Sequence, residues 1–192
     1  MTTSNGRPAD RPSDRPDKGK PKPRSGGKSS GGGPKPKRGN IRPKGISARP
    51  SPIGLRRIRG EVYELIHPRC VEETELDYQE GIELWKAGDP EEARDALRYA
   101  LEGCRDNLWI HAALGDLALR EFRDPRLARG HYGYAVELVQ RALPPEFAGR
   151  LPRDRGANRP FFDALEGLIA SLEAMDKGRD AEELREMLKR LN

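Results

Sequence analysis

The first sixty residues hold no aromatic side chain, and before Ile41 almost no aliphatic one, while they carry 11 of the 21 glycines and 10 of the 17 prolines. Such a segment cannot bury enough apolar area to offset the roughly 1–2 kcal/mol per residue that backbone ordering costs. Residues 1 to about 54 therefore read as a disordered tail. Cysteine is nearly absent as well, with only Cys70 and Cys104 in 192 residues. Two single cysteines exclude both a disulfide-dense scaffold and the paired spacing of a zinc knuckle. No apolar run approaches the ~18 residues of a membrane span. No apolar stretch of about 7–15 residues follows Met1, so no secretory signal is expected and a reducing cytoplasm is the default location.

Catalytic chemistry is also poorly supplied. The three histidines, His67, His111 and His131, have no Ser or Cys set in an elbow motif as nucleophile. His67, Cys70, Cys104 and His111 could in principle ligate zinc, but they fall singly in successive segments with no shared knuckle. Gly27-Lys28-Ser29 looks like the end of a phosphate-binding loop, yet the required upstream glycine is replaced by Lys22 and no strand precedes it. The reading is of a protein that is not an enzyme and has no metal or cofactor.

What is present divides the chain near residue 60. Residues 1–60 hold 17 Lys and Arg against 3 Asp, a net of +14; the remaining 132 hold 19 against 28, a net of −9. The overall +5 is thus an average over a basic tail and an acidic body. Within the tail, Lys-Pro and Arg-Pro steps alternate with a flexible Gly/Ser stretch from Ser25 to Gly33. Lys18, Lys20, Lys22, Arg24, Lys35, Lys37, Arg38, Arg42 and Lys44 are the candidate polyanion-binding side chains. With no aromatic residue for base stacking, nucleic-acid binding there is expected to be sequence-blind and salt-sensitive.

The body is punctuated by helix signals. Gly88-Asp89-Pro90-Glu91-Glu92 stops one helix and starts another: Gly suits the C-terminal turn, Asp89 caps, and Pro90 takes the first helical position. Asp124-Pro125 repeats the device, and Asp106 or Asn107 opens the helix before it. Ala93, Ala96, Leu97, Ala100 and Leu101 recur at spacings of three and four, as on one face of a helix. Gly81 and Gly115 stand 34 residues apart, whereas the two Asp-Pro steps stand 35 apart; the extra residue belongs in the turn around Arg123.

These positions resemble the tetratricopeptide repeat, a helix-turn-helix unit of about 34 residues. In the first copy the pattern falls on Gly81, Leu84, Ala93, Leu97 and Ala100; in the second, on Gly115, Ala118, Ala128, Tyr132 and Ala135. A looser third copy carries Gly167 and Ala181. The proline that commonly closes each repeat is missing, and the early Trp is Asp77 in one copy and His111 in the next. The resemblance implies an all-α fold: a short right-handed α-solenoid of about three hairpins, at about 70–103, 106–141 and 159–191. A generic helical bundle is the alternative. Residues 55–69, with Val62, Leu65 and Ile66, are expected to form a short strand or helical turn that plugs the N-terminal end of the stack. Residues 144–158 are too proline-rich for a helix and too long for an ordinary turn. Phe147 and Leu151 are expected to fold back there, leaving Arg150, Arg153, Arg155 and Arg159 exposed, either paired with the acidic body or contacting an anion.

The resemblance further implies that the first helix of each pair lines a groove, with Tyr78, Ile82, Trp85, Asp116 and Leu119 as the candidate partner-contacting residues. Trp85 could equally be core. None of them is the Lys, Asn or Arg that family members use to clamp a peptide carboxylate. Two functions follow as expectations: an adaptor that holds a protein or peptide partner, or a nucleic-acid- or ribosome-associated protein bound through residues 1–60. Oligomeric state is not encoded in any recognisable way.

Overall fold

In the computed structural model, residues 52–192 are described. The expected disordered tail and its nine candidate polyanion-binding cations lie outside them, except at the boundary, where the sequence reading needs correcting. Ile53, assigned to the tail, is buried in the main core. Gly54 already begins a strand.

The all-α expectation also changes. Residues 54–66 form an antiparallel hairpin, β1 (Gly54–Arg59) and β2 (Val62–Ile66), in the register Leu55 opposite Leu65 and Arg56 opposite Glu64. Gly60 turns between them at φ 49°, a left-handed conformation that suits glycine. The hairpin does not plug the first helix pair. It packs on the 144–158 segment, where Tyr63 N–H donates to the Arg150 carbonyl and Arg150 N–H to that of Glu61, both at 2.8 Å. Leu65 joins the core formed by the later helices. The reason is the pattern of the strand: its buried residue matches the apolar pocket around Leu151, which is itself fully buried.

Asn158 holds this junction. It is fully buried; its Oδ1 accepts from Leu65 N–H at 2.9 Å, and its Nδ2 donates to the carbonyls of Tyr63 (3.2 Å) and Pro152 (3.0 Å). Asn158→Ala removes all three bonds at once, and an unpaired buried polar group is costly. Chemical denaturation should show a loss of about 2 kcal/mol, with hydrogen-exchange protection falling first at Leu65.

The rest is helical: α1 (Cys70–Glu73), α2 (Glu75–Ala87), α3 (Pro90–Gly103), α4 (Leu108–Asp116), α5 (Pro125–Ala142), α6 (Arg159–Glu173) and α7 (Gly178–Leu191). Gly88 ends α2 in the left-handed region at φ 96°, and Pro90 and Pro125 occupy first turns. Asp124 Oδ1 accepts from Arg126 and Leu127 N–H, and Asn107 Oδ1 caps α4 by accepting from Trp109 and Ile110 N–H. Asp89 makes no such side-chain bond. The extra residue of the second copy lies in a π-helical turn, Leu117–Glu121, that prolongs α4, and the chain leaves it through Arg123 at φ 52°. A π turn holds one more residue than an α turn, which is the one-residue excess in the Asp-Pro spacing.

Helices pair in succession: α2 packs on α3, α4 on α5, α6 on α7, and α5 and α4 both meet α6. Glycines set the close approaches. A Cβ on Gly81 would meet the Leu97 side chain at 2.6 Å, and one on Gly115 would meet the Tyr132 ring at 2.5 Å. Gly167 faces Tyr132 too, at 2.2 Å, so α6 takes its large neighbour from the preceding helix α5. Ala93, Leu97, Ala100, Ala128, Ala135 and Ala181 are buried, and Leu84 packs half-buried on the first pair.

Cys70 and Cys104 are joined in a disulfide, with Cα atoms 5.3 Å apart, where the sequence reading has two independent thiols. The bond links α1 to the end of α3 across 34 residues. Of the loop arginines, Arg153 pairs with Asp163 and Glu166, Arg155 with Glu64, and Arg159 with Asp163. These three serve the acidic body.

Candidate functional site

The five groove candidates lie as follows. Tyr78, Ile82 and Trp85 are half-buried against the first helix pair. Trp85 Nε1–H donates to Glu121 Oε1 at 3.0 Å, a bond from α2 to the π turn. Asp116 accepts from the Tyr132 hydroxyl at 3.0 Å and pairs with Arg120 at 3.0 Å. Burial raises the Asp116 carboxyl above its usual range, opposed by Arg120 and by the Tyr132 hydrogen bond. Leu119 packs half-buried on the main core. Tyr78 and Asp116 do come to one side: burial, with Glu75, Asp163 and Asp116 nearby, raises the Tyr78 phenol against the pull of Arg159. Most of this set is engaged in holding helices together.

A different arrangement forms a cavity of about 660 Å³ between α3 and α5, floored by α4 and the π turn. Three helical faces converge on it. Arg94, Arg98, Leu101, Glu102 and Arg105 come from α3 and the turn after it; His111, Leu114, Ala118 and Phe122 form the floor; Leu127, His131 and Tyr134 come from α5. Spacings of three and four put Arg94, Arg98 and Leu101 on one side of α3, and Leu127, His131 and Tyr134 on one side of α5.

The electrostatics of this trough are lopsided. Arg94 stacks over the Phe122 ring at 5.1 Å and reaches Asp95 at 3.2 Å. The exposed guanidinium groups of Arg98 and Arg105 form no ion pair among the described residues. Glu102 is the one carboxylate in the lining. Beneath the charges the floor is apolar, and Leu127 leaves 45% of its surface exposed at the rim.

The histidines are held neutral. His111 Nε2–H donates to the Arg105 carbonyl at 2.9 Å, so its Nδ1 carries a lone pair, which accepts from His131 Nδ1–H at 3.3 Å. Tyr134 donates to Asp106 Oδ1 at 2.7 Å beside them. Burial lowers the pKa of both imidazoles, and His111 and Arg98 press His131 further down, to about 4. The unfolded chain takes up a proton near pH 6.5 that folded His131 resists until about pH 4. Stability from this group is therefore present above pH 6.5 and lost as the pH falls toward 4. The melting temperature should decline through that window, and His131→Gln should make the decline shallower. His67, also lowered by burial, contributes in the same direction.

None of the trough's charged residues was singled out by the repeat pattern, because that pattern marks helix packing and the trough lies on the outer faces of α3 and α5. Their signal is Arg94 and Arg98 one turn apart on α3, with Arg105 just past its end. Among the described residues, no group of three or more His, Cys, Asp or Glu is placed to hold a metal ion, and no helix is long and apolar enough to cross a membrane. In comparisons with known protein families, with curated proteins and with solved structures, nothing matches this chain.

Proposed function

We propose that the chain is a non-enzymatic interaction module, a short α-solenoid of tetratricopeptide type that holds a segment of a partner protein. The observation that carries this reading is the trough: an open cavity with an apolar floor and charged walls, built on three successive helices. Its size falls within the ~300–1,000 Å³ of ordinary ligand sites. The pairwise succession of helices and the glycine-mediated approaches support the solenoid geometry.

The tail supports a second reading. Seventeen cations against three carboxylates in residues 1–60 suit sequence-blind binding of nucleic acid by counterion release. Both activities can reside in one chain. Affinity capture with the full chain and with Leu127→Glu, each before and after nuclease treatment, separates them. Proteins retained after nuclease and lost with Leu127→Glu support the module. Recovery of nuclease-sensitive material alone, unchanged by the substitution, would overturn it in favour of the polyanion reading. A shortened chain for such work should begin no later than residue 52, since a cut at 60 removes β1 and the buried Ile53.

A further inference from the structure

We infer that the trough between α3 and α5 takes an acidic peptide segment in which two carboxylates flank a bulky apolar side chain. The inference rests on the reading of the chain as an interaction module and names the chemistry of its partner.

The charges come first. Arg98 and Arg105 stand exposed on one wall without an ion pair among the described residues, although residues 61–192 carry a surplus of nine negative charges. Arg94 is already committed to Asp95 and the Phe122 face, so it shapes the floor. Guanidinium groups in this state favour carboxylates, which they bind through paired, charge-assisted hydrogen bonds. Arg98 stands on α3, and Arg105 lies in the turn just past the end of that helix at Gly103, so both border the same side of the trough. A short segment with an acidic residue toward each end offers one carboxylate to each of these cations.

The floor supplies the other half. Leu101, Leu114 and Phe122 line the trough together with the two arginines and with the exposed Leu127 of α5. One leucine or aromatic side chain from the peptide covers that apolar surface and removes it from water. Tyr134, 39% exposed, lines the trough near Arg105, its hydroxyl donating to the neighbouring Asp106.

Charge also selects among occupants. The chain's own residues 1–60, at a net +14, have the wrong sign for this wall, and so has any other basic segment. Nucleic acid would satisfy the arginines but leaves the apolar floor uncovered.

The test uses the full chain and Arg98→Glu/Arg105→Glu in parallel, each immobilised and used to select from a displayed library of random seven-residue peptides. Both positions are exposed; circular dichroism confirms that the variant is folded, and Arg98→Gln/Arg105→Gln replaces it if it is not. The tail is identical in all of them, so tail-driven capture cancels. The expected result is enrichment of peptides with two Asp or Glu flanking Leu, Ile or Phe. A synthetic copy of the most enriched peptide should bind the variant at least about tenfold more weakly. Enriched peptides that are neutral or basic, or that bind the variant equally well, overturn the acidic-segment inference and leave the module standing. Failure to enrich any peptide counts against both.

Discussion

Tyr132→Ala should lower the unfolding free energy by about 3–5 kcal/mol, the range for removing a fully buried aromatic side chain. The ring is 1% exposed and sits between two glycines, Gly115 on α4 and Gly167 on α6. It therefore fills the space where three helices meet, and its loss leaves a cavity that none of the three can close alone. Tyr132→Phe isolates the hydroxyl, which donates to Asp116; a loss of about 1–3 kcal/mol is expected from a bond to a charged acceptor. The reciprocal change is Gly167→Ala, whose Cβ would meet the ring at 2.2 Å. Alanine gains up to about 1 kcal/mol of helix propensity, but overpacking at such a distance costs about 1–3 kcal/mol, so the variant should be less stable. Urea unfolding of the three variants measures all of this. A neutral Gly167→Ala would mean that α5 and α6 slide apart freely and that the ring is not a wedge.

Removing the disulfide, by Cys70→Ala with Cys104→Ala, should cost about 4 kcal/mol if the bond acts by restricting the unfolded chain over its 34-residue separation. The effect should be uneven. The first helix pair depends on a small cluster, Ala93, Leu97 and Ala100 with Ile110, Ala113, Leu114 and Leu117, whereas α5 to α7 share a larger one. Hydrogen exchange should therefore accelerate in α2 and α3 while α6 stays protected. Uniform acceleration would show instead that the chain opens as one unit. The bond also bears on where the protein works, because disulfides persist in oxidising surroundings and are rare in a reducing cytoplasm. Alkylation of free thiols in intact cells, before lysis, reads its state directly.

The helix starts at Asp89-Pro90 and Asp124-Pro125 are visible in the sequence because capping is local chemistry, settled within a few residues. The glycines at 81, 115 and 167 are visible because a missing side chain on a helix face has few other uses. The hairpin was only half legible. Leu65 marks a core contact while Ile66 stays exposed, and the segment the hairpin docks on, around Arg150 and Asn158, is some 90 positions away. The Cys70–Cys104 bond was hidden for the same reason, since spacing alone does not say that α1 returns to the end of α3. The trough needed knowledge of which helix faces become neighbours. Arg98 is four residues from Arg94 and seven from Arg105, an ordinary solvated pattern until α5 is set opposite.

The π turn at Leu117–Glu121 makes the second helix pair a unit that cannot be exchanged for the first. Its additional residue rotates everything beyond it by about 100° relative to an uninterrupted helix, and Phe122, the next residue, is part of the trough floor. Deleting one residue there would restore the regular period and turn Phe122 away from Arg94. The irregularity thus sets where Phe122 meets the Arg94 guanidinium that reaches it from α3.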